Sequence, residues 1–236
     1  MKIPSTIEVA GQAVDLSALS DEQIKYYESL VDKISEIYND KGKGRQVFGL
    51  SGPAGSGKSV TVALVGHFFK ARNLPFEYVP VGLDAFHYTN DVLDGMNLRA
   101  VKGRYDTYNL PLLTKKLQSF TAGEDVSFPT YSRTTHNPIP DAISIHDSNT
   151  LLLLEGQWLL RKNREWAKIR DLCSYQLAVV GDLSTMRANV VARHMAGGRS
   201  HNDAEDFYEK SDLPNTQEIL KNSFEPDEKI RFYKDI

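Results

Sequence analysis

At 236 residues the chain is long enough for one large α/β domain or two small ones, and length alone does not choose between them. Its 41% hydrophobic and 25% charged residues are typical of globular proteins, and no apolar run approaches the roughly 18 residues of a membrane span. The net charge of -3 gives no basic footprint for nucleic acid, and a single cysteine, Cys173, excludes an intrachain disulfide. Because the start has no signal-peptide pattern, we expect a cytoplasmic protein without membrane or nucleic-acid partners.

The first 43 residues predict a short hairpin followed by a helix. Apolar alternation over residues 7–16, interrupted by Gly11, predicts the hairpin. The sequence SDEQ at residues 20–23 is a capping box that predicts a helix start. Seven apolar residues then recur at helical spacing: Ile24, Tyr27, Leu30, Val31, Ile34, Ile37 and Tyr38. We expect residues 1–43 to form an appendage that packs this stripe on a main domain, residues 44–236.

The main domain alternates short apolar runs with helical segments. Strands are predicted at 46–51, 76–83, 151–155 and 175–180, and helices at 58–72, 111–120, 184–194 and 204–211. Strands that are apolar along their whole length indicate burial on both faces. The pattern therefore predicts an α/β three-layer sandwich, with a mostly parallel sheet and helices on both faces.

The sequence GPAGSGKS at residues 52–59 matches the phosphate-loop pattern G-x-x-x-x-G-K-[ST], directly after a predicted strand and before a predicted helix. Glycines let backbone N–H groups approach phosphates, and the helix dipole favours their charge. The lysine of this pattern reaches the β- and γ-phosphates, and the hydroxyl after it ligates Mg²⁺. ATP and Mg²⁺ are therefore the expected cofactors. The candidate ATP-binding residues here are Gly52, Pro53, Ala54, Gly55, Ser56, Gly57, Lys58, Ser59 and Val60. A glycine-rich turn without a ligand is the alternative.

Three acids lie at the carboxyl ends of predicted strands, where ligands bind in an open parallel sheet. Asp84, Glu155 and Asp182 each come after an apolar run. Phosphoryl transfer needs one carboxylate near the attacking hydroxyl, and often another to support Mg²⁺. Because Asp182 directly precedes a predicted helix, we interpret it as an N-cap residue and leave it out of the site. Asp84 and Glu155 are the candidates, with Ser59 and Glu155 holding the metal.

Several segments together resemble the uridine kinase, phosphoribulokinase and bacterial pantothenate kinase group of P-loop kinases, over about residues 47–223. The closest resemblance is to a bacterial branch of nucleoside or sugar kinases. Besides the phosphate loop, it rests on DAFH at 84–87, KGRYDTYN at 102–109, FPTYSR at 128–133, LEG at 154–156 and the arginine-rich segment 187–199.

The resemblance implies an ATP-dependent kinase with a hydroxyl acceptor and assigns roles to several residues. Asp84 would be the catalytic base, Lys58 and Glu155 would act at the phosphates and Mg²⁺, and a lid near residues 187–203 would close over ATP. Arg193 and Arg199 of this lid would contact the phosphates, with Arg193 as a catalytic residue.

The acceptor follows less directly from the resemblance. Uridine kinases carry an acid near the position of Gly103, and pantothenate kinases carry a histidine where this chain has Arg133. The candidate acceptor-binding residues are His87, Lys102, Arg104, Tyr131, Arg133 and His136. Cationic side chains suit an anionic or polyhydroxylated acceptor, so a sugar or sugar acid is favoured.

Three alternatives stay open. A nucleoside kinase and a pantothenate kinase would use the same loop and base with another acceptor. A nucleotide-binding regulatory ATPase would use the loop without a small-molecule acceptor. The sequence leaves a homodimer open, and it does not distinguish ATP from other triphosphates.

Overall fold

The computed structural model describes residues 3–9, 12–17 and 19–231, and Gly11 lies outside them. In chain order the strands and α-helices are β1 (Thr6–Val9), β2 (Gln12–Asp15), α1 (Asp21–Asp40), β3 (Arg45–Ser51), α2 (Lys58–Arg72), β4 (Glu77–Gly82), α3 (Asn90–Gly95), α4 (Leu110–Thr121), β5 (Val126–Ser132), β6 (Asn137–Ile145), β7 (Thr150–Glu155), α5 (Arg164–Asp171), β8 (Tyr175–Val180), α6 (Leu183–Ala196), α7 (His201–Phe207), α8 (Leu213–Lys221) and β9 (Glu228–Arg231). Short 3-10 turns lie at Leu83–Phe86 and Arg99–Val101, and a π-helical turn lies at Tyr208–Asp212.

The main sheet has five strands in the order β4-β7-β3-β8-β9, and every neighbouring pair is parallel. Successive side chains of a strand point to opposite faces. Phe48 and Leu50 therefore join α1 and α2 in one core, whereas Val47 and Leu152 join α4 and α5 in the other. The predicted three-layer α/β sandwich is confirmed.

The structure also contains elements that the sequence patterns did not predict. β5 and β6 form an antiparallel hairpin, and residues 139–142 of β6 are all exposed, so this strand lacks the apolar alternation that would have indicated it. β9 has only four residues, and α3, α5 and α8 were also missed. The helix predicted at 204–211 is wrong in its bounds, because α7 ends at Phe207 and a π-helical turn follows.

The first helix shares its core with the main sheet. The predicted capping box is present, since Gln23 donates its backbone N–H to the Ser20 hydroxyl and accepts from the Ser20 N–H. Val31 and Ile34 are buried in the cluster that contains α2, and the Tyr38 hydroxyl donates to the carbonyl of Gly44. The division into an appendage and a main domain stays a prediction. Within the described residues, no helix is both long enough and apolar enough to span a membrane.

Candidate active site

The loop between β3 and α2 has the backbone shape of a phosphate cradle. Gly52, Gly55 and Gly57 have φ angles of 149°, 76° and 89°, which side chains with a Cβ rarely adopt. A Cβ atom on Gly55 would lie 2.3 Å from the carbonyl oxygen of Met186, so α6 packs too closely for any side chain there. The loop leads into the N-terminus of α2, where unpaired N–H groups and the helix dipole favour an anion.

The first turn of α2 carries the lysine and the serine of the loop motif. Lys58 Nζ donates to the carbonyl of Pro53 at 2.8 Å, and the Ser59 hydroxyl lies 3.1 Å from both carboxylate oxygens of Glu155. Burial lowers the pKa of Lys58 to about 8, although the Glu155 carboxylate opposes that shift. Burial raises the pKa of Glu155, and Lys58 opposes that shift in turn. A hydroxyl beside a carboxylate supplies the oxygen ligands that Mg²⁺ prefers, so these residues fit a magnesium-bound triphosphate.

Asp84 and Glu155 lie near the carboxyl ends of two neighbouring strands. The β4–β7 register pairs Gly82 with Glu155, and Asp84 comes two residues later. Both acids and Lys58 line one cavity of about 650 Å³. Asp182 holds the N-cap position of α6, as predicted, but its side chain makes no capping hydrogen bond.

The Asp84 carboxylate is half exposed and has two nitrogen-bearing neighbours. Arg133 Nη2 lies 3.5 Å from Oδ2, and His87 Nε2 lies 3.8 Å from Oδ1. Because the carboxylate stays accessible, a hydroxyl that enters the cavity can reach it. The guanidinium places a positive charge beside the carboxylate.

His87 is a buried side chain whose tautomer follows from its contacts. Its Nδ1 lies 3.1 Å from the carbonyl of Thr107, which can only accept, and its ring stacks on Tyr108 at 3.9 Å. Burial lowers the pKa of His87, although Asp84 opposes the shift. The neutral ring therefore carries its proton on Nδ1, and Nε2 keeps a lone pair on the side of Asp84.

The β5–β6 hairpin brings the acceptor-side candidates together. Its turn, residues 133–136, places Arg133 and His136 on the cavity, and Tyr131 precedes it on β5. Lys102 Nζ donates to Asn90 Oδ1 at 2.8 Å and to the carbonyl of His136. The Lys102 ammonium lies 5.3 Å from the centre of the Tyr131 ring, and burial raises the pKa of Tyr131 to about 12. This side of the cavity therefore carries the positive charge of Lys102 and the uncharged aromatic ring of Tyr131.

Two candidate residues lie away from this cavity. Arg104 forms a two-point ion pair with Asp106, at 2.8 and 2.7 Å, and Arg199 stacks on Phe207 at 4.2 Å. Both line a separate surface pocket between the second 3-10 turn and α7. In contrast, Arg193 of α6 lines the same cavity as Lys58.

Other polar residues support the site without having been predicted. Asn189 donates to the carbonyl of Gly55 at 3.0 Å and so ties α6 to the phosphate loop. Gln157 donates to the carbonyl of Gly103 at 2.8 Å, and the buried Trp158 donates to the same oxygen at 2.9 Å. Asn189 had no sequence signal, because a single amide on a helix resembles any surface residue. Gln157 follows the LEG segment, which could have drawn attention to it.

The chain is similar in sequence to a known protein family and to several known proteins. The model of the Phosphoribulokinase / Uridine kinase family matches residues 47–225. The uncharacterized protein YggC of Escherichia coli strain K12 is 28% identical over 224 residues, which cover 94% of this chain and 92% of YggC. A pantothenate kinase of Halalkalibacterium halodurans is 30% identical over 159 residues, which cover 66% of this chain and 50% of that kinase, so the match spans half of its length.

A solved structure from Silicibacter sp. TM1040, described as a candidate fructose transport system kinase, has the same fold. It superposes with a TM-score of 0.79 at 24% identity, over 86% of this chain and 98% of that one. The matching family model covers most of the residues that form the sheet, the phosphate loop and the cavity. The chain therefore belongs to the phosphoribulokinase / uridine kinase family of P-loop kinases, which are phosphotransferases that act on a hydroxyl group.

Proposed function

We propose that the protein transfers the γ-phosphoryl group of ATP, with Mg²⁺, to a hydroxyl of a small anionic or polyhydroxylated metabolite, with a sugar or sugar acid favoured. One observation carries the proposal. The Asp84 carboxylate lies in the same cavity as Lys58 and Glu155, between the phosphate loop and the cationic β5–β6 turn. A cavity with a phosphate cradle at one end and a base at the other suits an in-line transfer.

In this proposal the loop residues 52–60 hold the triphosphate, all but Pro53 having a backbone N–H to donate, and Lys58 neutralises charge on the outer phosphates. ATP supplies the phosphoryl group, and bound Mg²⁺ adds positive charge at the phosphates. Ser59 and Glu155 hold the metal. Within the described residues, no group of three or more His, Cys, Asp or Glu side chains could form a complete metal cage. Mg²⁺ commonly takes one or two carboxylates, and phosphate oxygens supply further ligands.

Asp84 accepts the proton of the attacking hydroxyl. Arg133 lies 3.5 Å from the carboxylate and pairs with it, and the lone pair of His87 Nε2 can accept a hydrogen bond from a second hydroxyl of the acceptor. Arg193 contributes positive charge where the phosphoryl group moves. The positive charges of Lys102 and Arg133, together with the His136 ring, favour an acceptor that carries a carboxylate, a phosphate or several hydroxyls.

An acceptor panel tests the reaction directly. Purified protein with Mg-ATP is offered sugars, sugar acids, nucleosides and pantothenate, and ADP release is measured against an acceptor-free sample. We expect at least one polyhydroxylated or anionic compound to stimulate ADP release. If Mg-ATP binds but no compound stimulates release, the proposal is wrong and the regulatory ATPase is favoured.

Variants then test the assigned base. Asp84→Asn should lower the transfer rate by about 10² to 10⁴ while leaving Mg-ATP affinity nearly unchanged. Asp182→Asn is the matched control, because it also follows a strand of the sheet but lies outside the residues that line the cavity. Equal rates for the two variants would contradict the role of Asp84.

A further pair of variants tests the acceptor class. Lys102→Gln should raise the KM for an anionic acceptor more than the KM for a neutral one. Arg104→Gln is its control, because Arg104 lies on the same segment but is paired with Asp106 outside the cavity. If Lys102→Gln leaves the ratio of the KM for an anionic acceptor to the KM for a neutral acceptor unchanged, an anionic acceptor would be contradicted.

A further inference from the structure

The helical segment after the predicted lid contains a local irregularity that faces the candidate active site. Residues 201–221 run from α7 through the π-helical turn Tyr208–Asp212 into α8. A π turn inserts an extra residue into the helical repeat and is often found at functional sites. Here it ends at Asp212, which lines the cavity that holds Lys58 and Asp84.

The Asp212 carboxylate contacts two consecutive residues of α6. Its Oδ2 lies 2.9 Å from His194 Nε2, and its Oδ1 lies 3.8 Å from Arg193 Nη2. An ionised carboxylate only accepts, so Nε2 of His194 donates this hydrogen bond. The Asp212 side chain is only 14% exposed, whereas that of Arg193 is 46% exposed. A fixed anion therefore lies beside a more accessible cation.

Arg193 also lies on the face of α6 that meets the phosphate loop. Asn189, one helical turn earlier, donates to the carbonyl of Gly55, and residues four apart share a helix face. Arg193 and Lys58 also line the same cavity. In the part of the chain that the structure describes, the Arg193 guanidinium has this one ion pair and no hydrogen bond. Its N–H groups stay available for phosphate oxygens.

We propose that Asp212 is a positioning residue that holds Arg193 toward the triphosphate, while His194 fixes the other oxygen of the carboxylate. This inference rests on the proposed function. A single ion pair at 3.8 Å restrains the long arginine side chain but leaves the other guanidinium N–H groups for the ligand. If Asp212 only neutralised the charge of Arg193, removal of the Asp212 carboxylate would strengthen phosphate binding instead of weakening it.

A double-mutant cycle on nucleotide affinity tests the inference without a known acceptor. The probe is the non-hydrolysable ATP analogue AMP-PNP with Mg²⁺, and its Kd is measured by calorimetry for Asp212→Asn, Arg193→Ala and the double variant. We expect Asp212→Asn to weaken AMP-PNP binding by about tenfold, and to have little effect when Arg193 is already alanine. A merely structural role would weaken binding by the same factor in both backgrounds.

Two controls accompany the cycle. Asp212→Glu keeps the charge and should bind AMP-PNP nearly as tightly as the wild type. Asp206→Asn, on α7, removes an exposed acid that is paired with Lys210 outside the cavity, and should leave the Kd unchanged. If Asp212→Asn does not fold, His194→Ala replaces it, because it keeps the Asp212 carboxylate and removes the second partner of that carboxylate. We then expect about a threefold loss that also disappears in the Arg193→Ala background.

The outcomes separate this inference from the proposed function. Equal losses in both backgrounds, or tighter binding after Asp212→Asn, would overturn the positioning role and leave the kinase proposal in place. A wild-type protein that binds neither Mg-AMP-PNP nor Mg-ADP would overturn both.

Discussion

Nucleotide binding should weaken steeply above pH 8, because the phosphate-loop lysine is partly buried. Burial lowers the pKa of Lys58 from 10.5 to about 8 in the free protein. The phosphates of a nucleotide bind the charged ammonium and raise its pKa, so binding above pH 8 must take up a proton. The Kd for ADP should therefore rise up to tenfold per pH unit above this value. At about pH 9.5 the expected loss is roughly 30-fold, or about 2 kcal/mol.

The assay is isothermal titration of Mg-ADP at several pH values between about 7.5 and 9.5. The terminal phosphate is already ionised there, since its second pKa is near 6. Tyr131, whose pKa is raised to about 12, does not titrate in this range. Lys58→Arg is the matched control, because a guanidinium stays charged over this range. The Kd of this variant for Mg-ADP should therefore not change with pH. The pKa of Lys102 is also lowered by burial, so Lys102→Gln is measured as well and should keep the wild-type slope. A flat wild-type profile would refute the reasoning.

Three further predictions concern stability. Gly55→Ala should lower the free energy of unfolding by about 1 to 3 kcal/mol more than Gly123→Ala, measured by urea denaturation, because both glycines have positive φ but only Gly55 has a neighbour at 2.3 Å. Equal losses would contradict the clash. Ile34→Ala should cost about 2 to 5 kcal/mol in one cooperative transition, because α1 shares the core of the main sheet. A separate early transition would contradict this and favour an independent appendage. Thr107→Val should cost about 1 to 3 kcal/mol, because the fully buried hydroxyl donates to the carbonyl of Arg104 and accepts from the N–H of Gly103; a melting temperature equal to that of the wild type would contradict this.

The sequence alone predicted the layers of the fold and the phosphate-binding end of the candidate site. Apolar runs such as β7, which is buried along almost its whole length, indicate a sheet covered on both faces. The phosphate loop is a local feature, because its glycines, lysine and serine lie within eight consecutive residues. For the same reason the helix start at Ser20 could be predicted from four residues.

The acceptor side of the site depends on residues that are far apart in the chain. Asp84 and Arg133 are neighbours only because the β5–β6 hairpin folds back over the end of β4, and the exposed β6 strand has no apolar pattern that would reveal it. Sequence patterns could not show that Arg104 pairs with Asp106 and lies outside the cavity, because Arg104 and Arg133 were equally good candidates to bind the substrate.

The same limit applies to the predicted lid. Arg193 and Arg199 belong to the same arginine-rich segment, and the sequence does not distinguish them. Packing of α6 on the phosphate loop brings only Arg193 of this pair to the cavity. Asp212 reaches its partners through a π turn that no residue pattern predicted. The phosphate loop and the strands of the sheet depend on residues that are close together in the chain, so the sequence determined them. Side-chain partners depend on which elements pack together, so only the tertiary structure decided which charges share the site.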